Sequence, residues 1–248
     1  QQAIEASESA LHLSASSDTD RNARGLLAYA YTIRWGEHQH DEANRERASQ
    51  YLKEGLSAKE QSALLYAAEA MFAFYSGKSV DALKAIEGRI KSAEADNKSV
   101  SIYYLTRGII LMNGGDLEAA KESLDRAQSI APDDPRIYVA LGNLHRRRGA
   151  DGQALVSFNN ALKFTRNAHP DGLLGTAKLI LDQENPGDGY VTAARYVKTL
   201  QEMEPPPAPR QLAQAFFVKA LLISRVSRDL PLYTNRDFQK RLEEATGI

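Results

Sequence analysis

The sharpest charge cluster in the chain is His145-Arg146-Arg147-Arg148. Four such groups in a row could meet the carboxylates of an acidic partner. They could equally close a helix, where cations complement the negative end of the dipole. A second group, His38, His40, Asp41 and Glu42, offers nitrogen and oxygen donors over a short span. A metal ion takes donors of this kind, but a polar inserted loop produces the same residue types, and no metal or other cofactor is expected. The chain has no cysteine, which excludes disulfides, thiolate zinc sites and cysteine nucleophiles together. It carries no Ser–His–acid arrangement, no Walker-type phosphate loop and no dinucleotide fingerprint, so it reads as a non-enzyme without catalytic residues. Pro206-Pro207-Ala208-Pro209 has PxxP spacing, which a hinge between helices explains as well.

Charge balance narrows the partner. Lys and Arg number 31 against 32 Asp and Glu, for a net charge of −1. No broad basic field exists to neutralise a phosphate backbone, so nucleic acid is not an expected partner. The most apolar stretch, residues 212–223, is interrupted by Gln214 and Lys219. It also falls short of the roughly 20 residues a membrane span needs. A soluble protein follows, with cytoplasm and periplasm equally open. The sequence begins at Gln1 rather than Met, with no signal-peptide pattern, so a segment is expected to have been removed from its front.

The elements that hold these residues come from an internal repeat. Residues 101–134 laid over 135–168 match Tyr104 with Tyr138, Gly108 with Gly142 and Gly115 with Gly149. The same shift of 34 matches Ala120 with Ala154, Leu124 with Phe158 and Ala127 with Ala161. Gly108 and Gly142 fall mid-helix, where glycine costs about 1 kcal/mol against alanine and is kept when a neighbour must come close. Gly115 and Gly149 fall where a left-handed C-cap is wanted, and Asp116 and Asp151 where a second helix needs its N-cap. Ala120 and Ala127, like Ala154 and Ala161, share one helix face around Leu124 or Phe158. Asp134-Pro135 reads as the N-cap and first residue of the next helix.

This pattern resembles the tetratricopeptide repeat: an aromatic in the fourth place, Gly or Ala in the eighth, Ala in the twentieth and twenty-seventh, Pro near the end. Pro132 completes the first unit, while Arg166 stands where the second would carry Pro. Residues 63–100 fit through Tyr66, Ala70, Gly77, Ala82 and Ile86, and depart at Arg89, where Ala is usual. Divergent units are expected over 22–57, 169–206 and 210–247. The last would end in a helix near 235–246 with Phe238, Leu242 and Ala245 on one side. Ser57-Ala58-Lys59-Glu60 has the form of a capping box opening the next helix. Ala3, Ala6, Ala10 and Leu13 suggest a half-repeat over 1–15 whose first helix is missing, so the array reads as cut at its N-terminus and finished at its C-terminus.

The resemblance implies an all-α, right-handed α-α superhelix (a solenoid) of about six helix-turn-helix repeats forming one domain over 1–248. In that family the first helix of each repeat lines a concave groove for a partner. Carried over place by place, the groove would be lined by Leu64, Ala67, Met71, Phe74 and Tyr75, then by Ile102, Leu105, Ile109 and Met112. It would end in Arg136, Asn143, Arg146 and Arg147. The alternative for each apolar position is packing between repeats. As a set they imply a scaffold for a protein or peptide with an apolar or amphipathic segment, and acidic residues would suit the basic end. Val139 stands where the chaperone-tail-binding members need Lys, so that ligand is not expected. An assembly role is the rival reading, as a segment of a larger repeat protein or as a processed bacterial envelope factor of the pilus-assembly kind. An RNA-reading array of helical hairpins fits neither the charge nor the period.

Overall fold

The computed structural model describes residues 2–13, 17–37, 41–96, 100–166, 168–182, 189–204, 206–207 and 209–229, with Arg236, Lys240 and Glu244. Among the described residues there are twelve helices and no strand. Their contacts gather into two compact units, Gln1–Pro132 and Asp133–Ile248, divided near the boundary between the two clearest repeats.

The first unit contains α1 (Gln2–Leu13), α2 (Ser17–Glu37), α3 (Glu42–Ser57), α4 (Ala63–Tyr75), α5 (Ser79–Ala95), α6 (Ser101–Gly114) and α7 (Leu117–Ile130). Helices α2, α4 and α6 pack side by side, each paired with the helix that follows it. The second unit contains α8 (Pro135–Arg147), α9 (Asp151–Phe164), α10 (Pro170–Asp182), α11 (Gly189–Gln201) and α12 (Pro209–Asp229). Here α10 packs against both α8 and α12, and α9 and α11 bridge successive first helices. The second helix expected near 235–246, with Phe238, Leu242 and Ala245, lies almost wholly outside the described residues.

Three first helices close by the same device. Gly77, Gly115 and Gly149 have φ of 80°, 92° and 70°. In each case the next residue's N–H reaches back to a carbonyl of the last turn: Lys78 to Ala73 (2.9 Å), Asp116 to Leu111 (3.1 Å) and Ala150 to His145 (2.9 Å). This is the Schellman closure, which needs a left-handed residue at the glycine. Gly149→Val should therefore cost about 1–2 kcal/mol through backbone strain alone, since nothing lies near its absent Cβ. The check is thermal melting beside Gly149→Asn, which tolerates that conformation and should lose much less; equal losses would refute the strain argument.

Caps follow the expected plan with two corrections. Asp116 accepts from Ala119 N–H and Asp134 from Arg136 N–H, with Pro135 opening α8. Asp151, however, does not cap α9; it is the first helical residue, and Ala150 occupies the cap position without a side-chain bond. The 34-residue register explains this: the position equivalent to Asp116 is Ala150, and Asp151 instead adds negative charge to the first turn. Ser57 does not open a helix either. It ends α3 and donates to the Glu54 carbonyl (2.9 Å), while Ser62 caps α4 by accepting from Leu65 N–H (3.3 Å). On α1, Ala6 is exposed, while Ile4 and Ser7 are buried and Leu11 packs on the cluster of Ile4, Leu27 and Tyr31; the side chains of Ala3, Ala10 and Leu13 lie outside the described ones.

The glycine crossings are as close as the spacing implies. A Cβ at Gly108 would lie 2.7 Å from Leu124 Cδ2, and one at Gly142 would lie 2.6 Å from Phe158 Cε1. Arg89, at the place where alanine is usual, sets its guanidinium 3.5 Å from the centre of the Tyr66 ring. A cation–π contact there takes the place of small-residue packing.

Candidate functional site

In the first unit, the faces of α4 and α6 divide the expected groove residues into two groups. Ala67, Met71 and Leu105 are at most 1% exposed, and Ile102 and Met112 are 7% and 6% exposed. These five offer almost no surface for a partner. For Ala67 and Met71 the cause is lateral packing, since α4 lies between α2 and α6; Ile102, Leu105 and Met112 lie on α6, which packs against α4, α5 and α7. Leu64, Phe74, Tyr75 and Ile109 remain half-buried, each with part of its apolar surface open.

Phe74 and Tyr75 belong to an aromatic cluster that gathers the ends of α2 and α4. Trp35 lies 4.9 Å from Phe72 and meets Tyr75 edge-on at 6.3 Å, while Phe74 and Tyr75 are 5.5 Å apart. Arg45 on α3 places its guanidinium 5.5 Å from the Trp35 ring centre. The sequence reading missed Trp35, although it is the chain's single tryptophan and lies one residue before Gly36. That glycine admits the Tyr75 ring, which would lie 2.1 Å from a Cβ there.

On the second-helix side, two clefts flank α3. One, of about 500 Å³, is lined by Glu8, Leu11, Arg47, Gln50, Tyr51 and Glu54. Two of these lining residues hold the Tyr31 hydroxyl, which donates to Glu8 (2.7 Å) and accepts from Arg47 (2.6 Å). Burial, then the bond to Glu8, pushes the Tyr31 phenol above its ordinary pKa. The other, of about 600 Å³, lies between Phe72 and the polar α3 residues Glu42, Arg45, Glu46 and Lys53. Of the four possible metal donors, His38 and His40 lie outside the described residues. Asp41 caps α3 through Asn44 N–H (3.1 Å), and Glu42 pairs with Arg45 (3.1 Å).

In the second unit the basic residues separate by role. Arg136 is exposed but turns back on Asp134, with Nη2 2.6 Å from Oδ2. Burial works to raise the Asp134 pKa, yet the Arg136 side chain and backbone N–H hold it below the usual carboxylate range. Arg136 thus serves the start of α8. Asn143 is half-buried, His145 is 9% exposed, and Arg146, Arg147 and Arg148 are exposed at the end of the helix. Arg146 acts on a residue the sequence reading did not single out: Lys178 on α10. Burial first, then Arg146 and Arg210, press the Lys178 ammonium below its ordinary pKa, opposed by Asp171 and Asp182. Lys178 is half-buried and donates to Gln214 Oε1 on α12 at 3.4 Å. Its only sequence signal is a cation inside the apolar helix 170–182.

Comparison with known proteins places this architecture. Residues 102–134 match the family model of the tetratricopeptide repeat. No curated protein matches the chain by sequence. Among solved structures, the chain is similar to PilW, described as a widely conserved type IV pilus biogenesis factor. Identity is 20% and TM-score 0.53, over 86% of this chain and 89% of that one. It is similar to pilF of Pseudomonas aeruginosa at 21% identity and TM-score 0.52, over 88% of this chain and 97% of that one. A chain of the APC/C hetero-tetramer Cut9–Hcn1 aligns with 98% of this chain at 13% identity and TM-score 0.58, although only 52% of that longer chain is covered. No helix among the described residues is long and apolar enough to cross a membrane. Residues 102–134 are thus a tetratricopeptide repeat, and the helical pairs around them make the chain an all-α array of that fold.

Proposed function

We propose that the chain is a protein-interaction scaffold that holds a partner segment on the faces of its first helices. The observation that carries this reading is the half-open apolar set Leu64, Phe74, Tyr75 and Ile109 on α4 and α6. Partly exposed aromatic and aliphatic groups on a rigid helical layer supply contact area without an ordering cost, which suits an apolar or amphipathic segment. Asn143, Arg146 and Arg147 offer polar contacts on α8 of the second unit.

Phe74→Ala and Ile109→Ala should each weaken partner binding about fivefold or more, chiefly by faster dissociation, since truncating a buried anchor costs over ~1 kcal/mol. The experiment is affinity capture with the parent chain and with both variants, followed by kinetic measurement on the recovered partner. Variants that capture and bind like the parent would remove the first-helix face from the reading.

A second reading, an assembly role in a bacterial envelope, is favoured by extent. The likeness to the PilW and pilF structures runs over nearly their whole length, rather than over one repeat.

A further inference from the structure

We infer that the seat of α1 on α2 and α3 is a docking site for an amphipathic helix of a partner protein, which carries a glutamate beside a bulky apolar residue, and that α1 fills it in cis as an undersized occupant. The site involves α2 and α3 rather than the open faces of α4 and α6, so it goes beyond the scaffold reading. Its floor is apolar: Leu27, Tyr31 and Ala48 are at most 2% exposed and form one cluster with Ile4 of α1. Tyr51 stacks on Tyr31 with 5.8 Å between ring centres. Set in this floor is a fixed reader for one carboxylate. The Tyr31 hydroxyl and the Arg47 guanidinium both donate to Glu8 Oε1, at 2.7 and 3.4 Å. Arg47 also donates to the Tyr31 hydroxyl (2.6 Å) and lies 5.3 Å from that ring's centre, contacts that do not involve α1.

α1 uses this seat incompletely. Among its described side chains, Ile4 and Leu11 meet the cluster, and the inward position between them is the small Ser7. Where Glu8 and Leu11 face α3, a cleft of about 500 Å³ stays open, walled on the far side by Arg47, Gln50, Tyr51 and Glu54. The two helices thus meet α2 without closing on each other. A helix of 12 residues is also marginal by itself, so α1 depends on these few contacts to stay formed. The better occupant keeps a glutamate at the place of Glu8, because an uncharged residue there would leave the Arg47 and Tyr31 donors without their acceptor. Three residues on, at the place of Leu11, an aromatic side chain would enter the cleft against Tyr51. The Glu54 carboxylate, which accepts from Gln50 (2.9 Å), would repel a second acid. The ligand is therefore an apolar helix face with one carboxylate, not an acidic tail.

The test uses the full chain and a labelled peptide: the sequence 2–13 with Leu11→Trp, set in an alanine-rich helix of about 20 residues so that it is helical when free. A matching peptide carries Glu8→Gln as well. Binding is read by fluorescence anisotropy, and the state of α1 by amide exchange of residues 2–13. The peptide should bind the Ile4→Ala/Glu8→Gln chain, whose own α1 is loosened, about fivefold or more tightly than the parent chain. Adding Arg47→Gln to the loosened chain, or Glu8→Gln to the peptide, should each weaken binding about fivefold or more. Arg47 is exposed, so its replacement spares the core. At saturation the peptide should speed exchange of α1 in the parent, whereas Leu11→Trp within the chain should slow it. The proposal is overturned if the peptide fails to bind the loosened chain, ignores Arg47, or saturates the parent without speeding α1 exchange. It is also overturned if Leu11→Trp in the chain speeds exchange of its own helix. A parent chain that dimerises in light scattering, and stops doing so with Ile4→Ala/Glu8→Gln, would make a second copy's α1 the occupant and overturn the partner assignment. None of these results touches the scaffold reading, which stands or falls on Phe74 and Ile109.

Discussion

Phe158→Ala is expected to be among the most destabilising single changes in the chain, at about 3–5 kcal/mol for an emptied aromatic core position. Phe158 is 1% exposed on α9, and two glycines from different helices close on its ring. A Cβ at Gly142 on α8 would lie 2.6 Å from the ring, and one at Gly175 on α10 would lie 2.5 Å from it. The nearest atoms at both positions belong to the ring, which is rigid and has no free end to move aside. Gly142→Ala and Gly175→Ala should therefore each cost about 1–3 kcal/mol by overpacking, despite alanine's better helix propensity. Adding Phe158→Leu to either variant should recover most of the loss relative to Phe158→Leu alone. Denaturant unfolding of this double-mutant cycle is the measurement, and strictly additive losses would mean the ring is not what the glycines accommodate. The consequence is local: this ring on α9 is where α8 and α10 both come close through a glycine.

How far the sequence speaks to this arrangement depends on whether a contact lies inside one repeat or between repeats. Gly142 against Phe158 is legible, because both residues lie in one helical pair and recur with the period as Gly108 and Leu124. Gly175 against the same ring is not, since it depends on how the next, divergent pair docks. The groove residues divide likewise. Phe74 and Ile109 keep open surface, but Met71 and Leu105 are buried by the helices packed around α4 and α6, and place within a repeat does not say which flank is covered. Arg136 has the place of a groove cation, but its carboxylate partner two residues earlier draws it back to the start of α8. The sequence does not mark Lys178, because a lysine among leucines usually snorkels to solvent, and its bond to Gln214 depends on how α12 docks on α10. Asp151 failed as a cap through a single-residue shift against the repeat register. Such a shift leaves the helix intact and changes only which residue fills the cap.

Leu124→Ala should cost about 2–5 kcal/mol in the first unit, where Leu124 is completely buried beneath Gly108. The companion change behaves differently from its counterpart at Phe158. A Cβ at Gly108 would meet Leu124 Cδ2 and Cγ at 2.7 Å, but also the Ala120 backbone carbonyl at 3.3 Å. Leu124 can be shortened by mutation; the carbonyl belongs to α7 and moves only if the helix moves. Gly108→Ala should thus cost about 1–3 kcal/mol, and Leu124→Val should relieve only part of it. The two cycles together form the stronger test, because they share a repeat position and differ in what surrounds it. The expected result is a large favourable coupling between Gly142→Ala and Phe158→Leu, and a smaller one between Gly108→Ala and Leu124→Val. Equal couplings would indicate that the first unit's helices separate as readily as a side chain repacks, and the carbonyl contact would then not limit the approach of α6 to α7.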